Sequence, residues 1–322
     1  MKKNLMFLGL AALGLASCNG GYKKGDNGML YNIYTDKSGP KVKEGDFMLL
    51  NLVIKSDADS VLLSTYEQGR PTPMLLPKPQ FKGDVFDAIK LLAEGDSATV
   101  KISADSIFKK TPKPPTFKGK YVIYDLKVVK LIPKGTMSEP VFQSTIQKYM
   151  KGLMDAQKDA EPAKIKQYID SKKLNLNKTD SGLYYVINKP GTGANIAVGD
   201  TAVVNYTGSL LNGKVFDSNV KEVAEKAKLT NMAQRQFIPI HLVVGMKRVI
   251  QGWDEGLLLL NKGAKATFVI PSKMAYGPQG YGPIGPFAPI TFDIEVVDVI
   301  HPKTPAAVAP ALPAAPAPTA KK

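Results

Sequence analysis

The sequence predicts an α+β protein: two copies of one domain, each an antiparallel sheet packed against a short helix, joined by a helical linker. Three observations carry this. The chain repeats itself at fixed spacing, its strand-like stretches alternate apolar and polar residues, and a short stretch of the second copy has helical periodicity.

The repeat comes first. Gly45–Asn51 reads GDFMLLN, and Gly199–Asn205 reads GDTAVVN. Gly95–Thr99 (GDSAT) answers in the same way to Gly263–Thr267 (GAKAT). Phe108 follows Gly95 by 13 positions and Tyr124 follows Phe108 by 16; Tyr276 and Phe292 follow Gly263 at the same two intervals. Equal consecutive intervals indicate a tandem duplication, over residues 28–133 and 179–301.

Ahead of the first copy, Lys2 and Lys3 precede an apolar run, Leu5–Leu15, that is too short to span a bilayer easily. Leu15-Ala16-Ser17-Cys18 follows, and resembles the lipobox of bacterial lipoproteins, where the thiol is diacylated and the chain is cut just before it. Residues 1–17 are therefore read as a signal peptide, Cys18 as the lipid anchor to a membrane, and 18–27 as a flexible tether. This places the chain in a bacterial cell envelope. The residues after Cys18 include no acidic run, which favours a periplasm-facing location over surface display. Residues 302–322, rich in Ala and Pro, are expected to form a disordered or polyproline-like tail.

Between the copies, residues 134–178 read as a helical linker. Phe142, Ile146, Tyr149, Met150 and Leu153 form one apolar stripe, and Pro162 is placed to open a second helix carrying Ile165, Tyr168 and Ile169. Within the second copy, Ala202–Tyr206 and Thr267–Ile270 are strand-like. Ile290, Phe292, Ile294 and Val296 alternate with Thr291, Asp293 and Glu295, so one face is expected to be buried and the other wet. Trp253, Leu257 and Leu260 fall at helical spacing, with Asp254 and Glu255 suited to a helix N-terminus.

Composition removes several functions. Cys18 is the one cysteine, so an intrachain disulfide is excluded, and with only His241 and His301 a His-based metal site or triad is not expected. No cofactor or metal is called for. The net charge of +15 becomes +13 once Lys2 and Lys3 leave with the signal. Basic charge could mean nucleic acid, but an exported chain rarely meets it and the lysines are spread out. A solvated basic surface facing anionic lipid or acidic clients is the reading kept.

Four stretches in order carry a family likeness: VVNYTGSLLNGKVFDSN (Val203–Asn219), VIQGWDEGL (Val249–Leu257), VIPSKMAYG (Val269–Gly277) and ITFDIEVVDV (Ile290–Val299). Together they make residues 179–301 similar to an FKBP-type peptidyl-prolyl cis-trans isomerase. The resemblance implies a curved five- or six-stranded sheet on a short helix, with Trp253 as the floor on which a proline ring stacks. It places Tyr206, Phe216, Asp217, Ile250, Trp253, Tyr276 and Phe292 in the catalytic pocket. Val249, Ile240, Tyr281 and Ile284 complete its substrate-binding wall. The Ile250 N–H and the Tyr276 hydroxyl would donate to substrate carbonyls, and Tyr206 would hold Asp217. X-Pro-containing unfolded or exported polypeptides are the implied partners, with macrolide inhibitors as a further class of ligand and nucleic acid excluded.

Three departures stand out: Ile240 occupies the place of a pocket phenylalanine, Gly285 replaces the first proline of an Ile-Pro-Pro, and residues are inserted between Asp217 and Gly245. In the insertion, Val220, Val223, Ala224 and Ala227 have helical spacing, and Glu222 and Lys226 would pair at i,i+4. The first copy lacks the site. Leu52 stands for Tyr206, Leu62-Leu63-Ser64 offers no aromatic-Asp pair, and Phe108 replaces Tyr276. That copy is expected to be silent, a client-binding or spacing domain. The leading function is prolyl isomerisation that assists folding of exported proteins. The alternative is a non-catalytic chaperone or scaffold made of two such modules.

Overall fold

The structure, a computed structural model, describes residues 21–302 apart from 59, 67–68, 110–111, 115–116 and 230–231. The signal peptide, Cys18 and all but the first residue of the Ala/Pro-rich tail lie outside the described residues. The chain folds into two compact units that divide between Lys148 and Tyr149.

The first unit contains β1 (Lys23–Lys24), β2 (Leu30–Thr35), β3 (Phe47–Ser56), β4 (Val61–Ser64), β5 (Thr72–Leu75), α1 (Val85–Ile89), β6 (Ser97–Ser103), α2 (Ala104–Ile107) and β7 (Tyr121–Ile132). Helix α3 (Glu139–Lys172) begins in the first unit and ends in the second. The second unit continues with β8 (Asn177–Lys178), β9 (Tyr184–Lys189), β10 (Thr201–Leu210), β11 (Val215–Ser218), α4 (Lys221–Lys226), β12 (Ile240–Val243), α5 (Gln251–Leu257), β13 (Lys265–Ile270) and β14 (Ile290–Ile300).

The two sheets share one topology. The first runs β1-β2-β6-β7-β3-β4 with β5 on β3; the second runs β8-β9-β13-β14-β10-β11 with β12 on β10. Even the irregularities correspond: β3 slips its register against β7 between Leu49 and Leu50, and β10 slips against β14 between Val203 and Val204. Val100 faces Tyr124 as Phe268 faces Phe292. Sheets of seven strands replace the expected five or six. The additions are the two-residue strands β1 and β8, which the sequence reading had placed in the tether and the linker. Lys23 and Lys24 pair with Tyr31 and Leu30, and Lys101 covers the Tyr22 ring at 4.3 Å, so a lysine-rich stretch is held by backbone pairing and cation–π contact.

Each core forms where the alternation predicts. Ile290, Phe292, Ile294 and Val296 are all buried, against Leu257 and Leu260 from α5 and the turn after it. Burial of each such side chain contributes about 1.5–3 kcal/mol. Thr291 is the exception to the wet face. It is buried, with Tyr168 of α3 beside it, and its hydroxyl donates to the Ser209 carbonyl at 3.3 Å.

Helix α3 also departs from expectation. Pro162 does not open a second helix but lies inside one continuous helix of 34 residues. An interior proline costs about 3 kcal/mol in an isolated helix; here contacts on both sides of it, at Glu161 and at buried Ile165, hold the helix to the second unit. Of the predicted stripe, Phe142 is buried and Ile146, Tyr149, Met150 and Leu153 are half-buried. In the insertion, Val220 and Ala227 cap α4 and Ala224 is buried, but the ion pair is Lys221–Glu225 at 3.9 Å in place of Glu222–Lys226.

Asp200, at the mouth of β10, accepts from the Ala197 N–H and pairs with His301 Nδ1, each at 2.9 Å. The Ala197 hydrogen bond and then the histidine hold its carboxyl below the usual range. A depressed folded-state pKa contributes stability that is present above the unfolded value of about 4 and is lost as pH falls through the folded value. Urea midpoints at pH 7 and pH 3 check this. The wild type is expected to lose more stability between the two than Asp200→Asn does.

Candidate active site

Helix α5 packs closely on the sheet. Gly252 and Gly256 sit one turn apart, and a Cβ at either would lie 2.5 Å from Ile270 or Phe268 of β13. The two glycines let the helix backbone approach the strand. Trp253, next to Gly252, is 4% exposed.

Around its indole stand three further rings. Tyr206 meets Trp253 edge-on at 5.3 Å and Phe292 meets it edge-on at 5.0 Å, while Phe216 packs on Phe292 at 5.6 Å. Such pairs contribute about 0.5–1.5 kcal/mol each beyond area burial and fix one another's orientation. They line an open pocket of about 840 Å³. Val249, Ile250 and Ile240 form one wall. Tyr276, Tyr281 and Ile284 form the opposite one, with Tyr281 stacked on Tyr276 at 5.4 Å. The structure thus brings all eleven pocket residues of the sequence reading to one cavity.

The loop wall is tightly wound. Tyr281 and Ile284 exchange backbone hydrogen bonds of 2.8 and 2.9 Å, and Gly280 takes φ +65° where a Cβ would lie 2.3 Å from the Ile284 carbonyl. Gly285, in contrast, faces open space.

Two polar contacts converge on Asp217. The Tyr206 hydroxyl donates to Asp217 Oδ2 at 2.6 Å. Arg235 Nη1 donates to Asp217 Oδ1 at 2.7 Å, so each carboxylate oxygen has a partner. Burial, then the hydrogen bond to Asp217, pushes the Tyr206 hydroxyl well above the usual tyrosine value; burial does the same to Tyr276, with Tyr281 and Asp217 adding to it. Both therefore remain protonated donors across the neutral range.

Three donors at the pocket have no protein acceptor among the described residues. They are the buried Trp253 Nε1–H, the Tyr276 hydroxyl and the Ile250 N–H, the last at the N-cap of α5. An unmet buried donor costs about 1–3 kcal/mol.

Arg235 was not found from the sequence. It lies in the insertion after α4, in a stretch with no periodicity, and only the fold brings it to Asp217. Lys247 and Arg248 also reach the mouth of the pocket.

The equivalent place in the first unit is filled differently. Leu52 N–H donates to Thr65 Oγ1 as Tyr206 N–H donates to Asn219 Oδ1, so the backbone frame is kept. On that frame Leu62 and Leu63, 52% and 37% exposed, stand where Phe216 and Asp217 stand. Val85 opens α1 in the place of Trp253, and Phe108 packs edge-on against Phe117 at 5.4 Å. The Tyr124 hydroxyl, in the place of Phe292, is pushed up to about 12 by burial and the nearby Asp84.

Residues 193–297 match the model of a protein family, FKBP-type peptidyl-prolyl cis-trans isomerase. FK506-binding protein 1 of Rhizopus delemar is 40% identical over 113 residues, which are 34% of this chain and 92% of that protein. The chain belongs to this family. A probable FKBP-type isomerase of Haemophilus influenzae is 42% identical over 135 residues, covering 42% of this chain and 49% of that protein. The FKBP-type isomerase FkpA of Aeromonas hydrophila is 33% identical over 178 residues, covering 52% and 60%. The chain spans about half the length of the first of these two and 60% of the second. The part that matches the FKBP family model lies wholly in the second unit and carries the aromatic pocket.

Proposed function

We propose that the chain is a peptidyl-prolyl cis-trans isomerase that works through the pocket of its second unit. The observation that supports this best is an indole floor ringed by Tyr206, Phe216 and Phe292, with unmet N–H and O–H donors beside it.

The barrier to X-Pro rotation, about 18–20 kcal/mol, is the cost of breaking amide resonance. Lowering it needs no nucleophile. The planar amide is more polar than the twisted one, so an apolar cavity disfavours the ground state more than the transition state. The proline ring lies on Trp253, which holds one side of the bond. The Ile250 N–H and the Tyr276 hydroxyl take the carbonyls on the other side, so the two halves are held at a twist. Asp217, fixed by Tyr206 and Arg235, orients the wall beside the acyl group. Each 1.4 kcal/mol of preference for the twisted form gives about tenfold in rate.

Cys18 is the lipid anchor, the chain sits in the cell envelope facing the periplasm, and its clients are exported polypeptides. The first unit binds or spaces clients without catalysis, and its exposed Val61, Leu62 and Leu63 support that role. A macrolide of the FK506 class would compete for the same pocket, in line with the name of the Rhizopus relative.

The test is the cis-to-trans rate of a Leu-Pro peptide with the chain from residue 19 onward. Acceleration over buffer is expected, together with a loss of about tenfold in Tyr276→Phe, the value of one hydrogen bond made in the transition state. A rate equal to buffer would leave the scaffold reading in its place.

A further inference from the structure

Helix α3 lies between the repeats in sequence, where it reads as a helical linker. Its second half is bound to the segment that leads into Tyr276. Both carboxylate oxygens of Glu161 are used on one residue: Oε1 accepts from the Ser272 N–H, and Oε2 accepts from the Ser272 hydroxyl at 2.7 Å. Ser272 is 2% exposed. Its carbonyl in turn accepts from the Ala275 N–H at 2.9 Å and the Gly277 N–H at 2.8 Å. Those are the neighbours of Tyr276 on either side. One serine thus receives the helix carboxylate at its N–H and hydroxyl, and returns its carbonyl to both flanks of the tyrosine.

Two more residues of the same face complete the attachment. Ile165, one turn after Glu161, is buried, and Tyr168 lies beside Thr291 of β14, the neighbour of Phe292 in sequence. Glu161, Ile165 and Tyr168 recur at i, i+4 and i+7, so a single helix stripe reaches the turn before Tyr276 and strand β14 next to Phe292.

We infer that α3 is a working part of the catalytic unit, with Glu161 a positioning residue that sets the Tyr276 hydroxyl through Ser272. The inference rests on the isomerase reading for its kinetic effect and on geometry alone for its structural one. A carboxylate accepting two hydrogen bonds is short and strong at both, and it restrains the turn before Tyr276 in a way that water cannot. Misplacement of a donor by a fraction of an ångström is felt in the transition state more than in ground-state binding. Glu161 touches no substrate.

The test uses the full chain with Glu161→Ala and Glu161→Gln, each alone and with Tyr276→Phe. Glu161→Ala is expected to lower kcat about tenfold with KM changed less than about twofold, and Glu161→Gln, which can still accept one bond, to recover most of the loss. With Tyr276→Phe already present, Glu161→Ala should cost less than about twofold, because the group it positions is gone. Additive losses in the two backgrounds, or a loss that only follows the folded fraction, would overturn the inference. A second readout is independent of turnover. The stacked rings of Tyr276 and Tyr281 should shift their proton resonances in Glu161→Ala. If the wild type accelerates nothing, the isomerase reading fails by itself, and those resonances still decide the geometry: unmoved rings overturn the positioning role.

Discussion

Trp253→Ala is expected to destabilise the second unit by about 3–5 kcal/mol, the range for deleting a large buried aromatic and leaving its cavity. The indole is 4% exposed and is in edge contact with Tyr206 and Phe292. Its unmet Nε1–H offsets part of this, since the variant no longer buries a donor without an acceptor. Trp253→Phe separates the two effects. It keeps a ring in the floor and should cost less than about 1.5 kcal/mol, while losing the N–H. Urea midpoints give the stabilities, and prolyl peptide affinity gives the value of the floor. Near-equal stability of Trp253→Ala and wild type would mean that the indole is not a structural floor.

The second large effect is expected at Asp217. Its alanine variant takes the acceptor from the Tyr206 hydroxyl and a carboxylate partner from Arg235, both at the pocket. Hydrogen bonds to a charged group contribute about 1.5–3 kcal/mol each, so a fall in kcat/KM of about tenfold to a hundredfold is expected. Tyr206 offers a separate check. Asp217 is one of the causes that hold its hydroxyl above the usual value, after burial, so the ionisation of Tyr206 should move down in Asp217→Ala. An NMR titration that resolves Tyr206 among the chain's 13 tyrosines reads this. A Tyr206 ionisation unchanged by the substitution would mean that the 2.6 Å hydrogen bond does not persist in solution.

Much of this molecule was legible because the duplication wrote it twice. Gly95 to Phe108 to Tyr124 and Gly263 to Tyr276 to Phe292 keep their intervals because strands at these places share a register, down to the slip near Leu50 and Val204. Pocket residues were legible because aromatic side chains beside glycine turns recur in the family's order. What escaped lies where local pattern has no voice. Strands β1 and β8 are two residues each and polar, set by a neighbour's backbone. Pro162 reads as a helix start by propensity, and tertiary contacts at Glu161 and Ile165 override it. Arg235 and the Glu161–Ser272 clamp join residues far apart in sequence, and no periodicity announces such a pair.

The two units also show what separates a frame from a site. Leu52 and Tyr206 hold the same backbone position, with an equivalent side-chain acceptor for each N–H. The sheet tolerates either residue, because the exchange lies on a half-buried face. Only Tyr206 brings a hydroxyl to a carboxylate. The first unit keeps the frame without that hydroxyl and carboxylate, with Leu52 and Leu63 at their places.

The measurement that tests the central claim most directly is Leu-Pro peptide isomerisation by two full-chain variants, Asp217→Ala in the second unit and Leu62→Ala/Leu63→Ala at the equivalent place in the first. Leu62 and Leu63 are exposed, so their replacement should change stability by less than about 0.5 kcal/mol each. The expected result is a large loss in the first variant and wild-type rate in the second. Wild-type rate in Asp217→Ala, or loss of rate in the leucine pair, would contradict catalysis in the second unit alone.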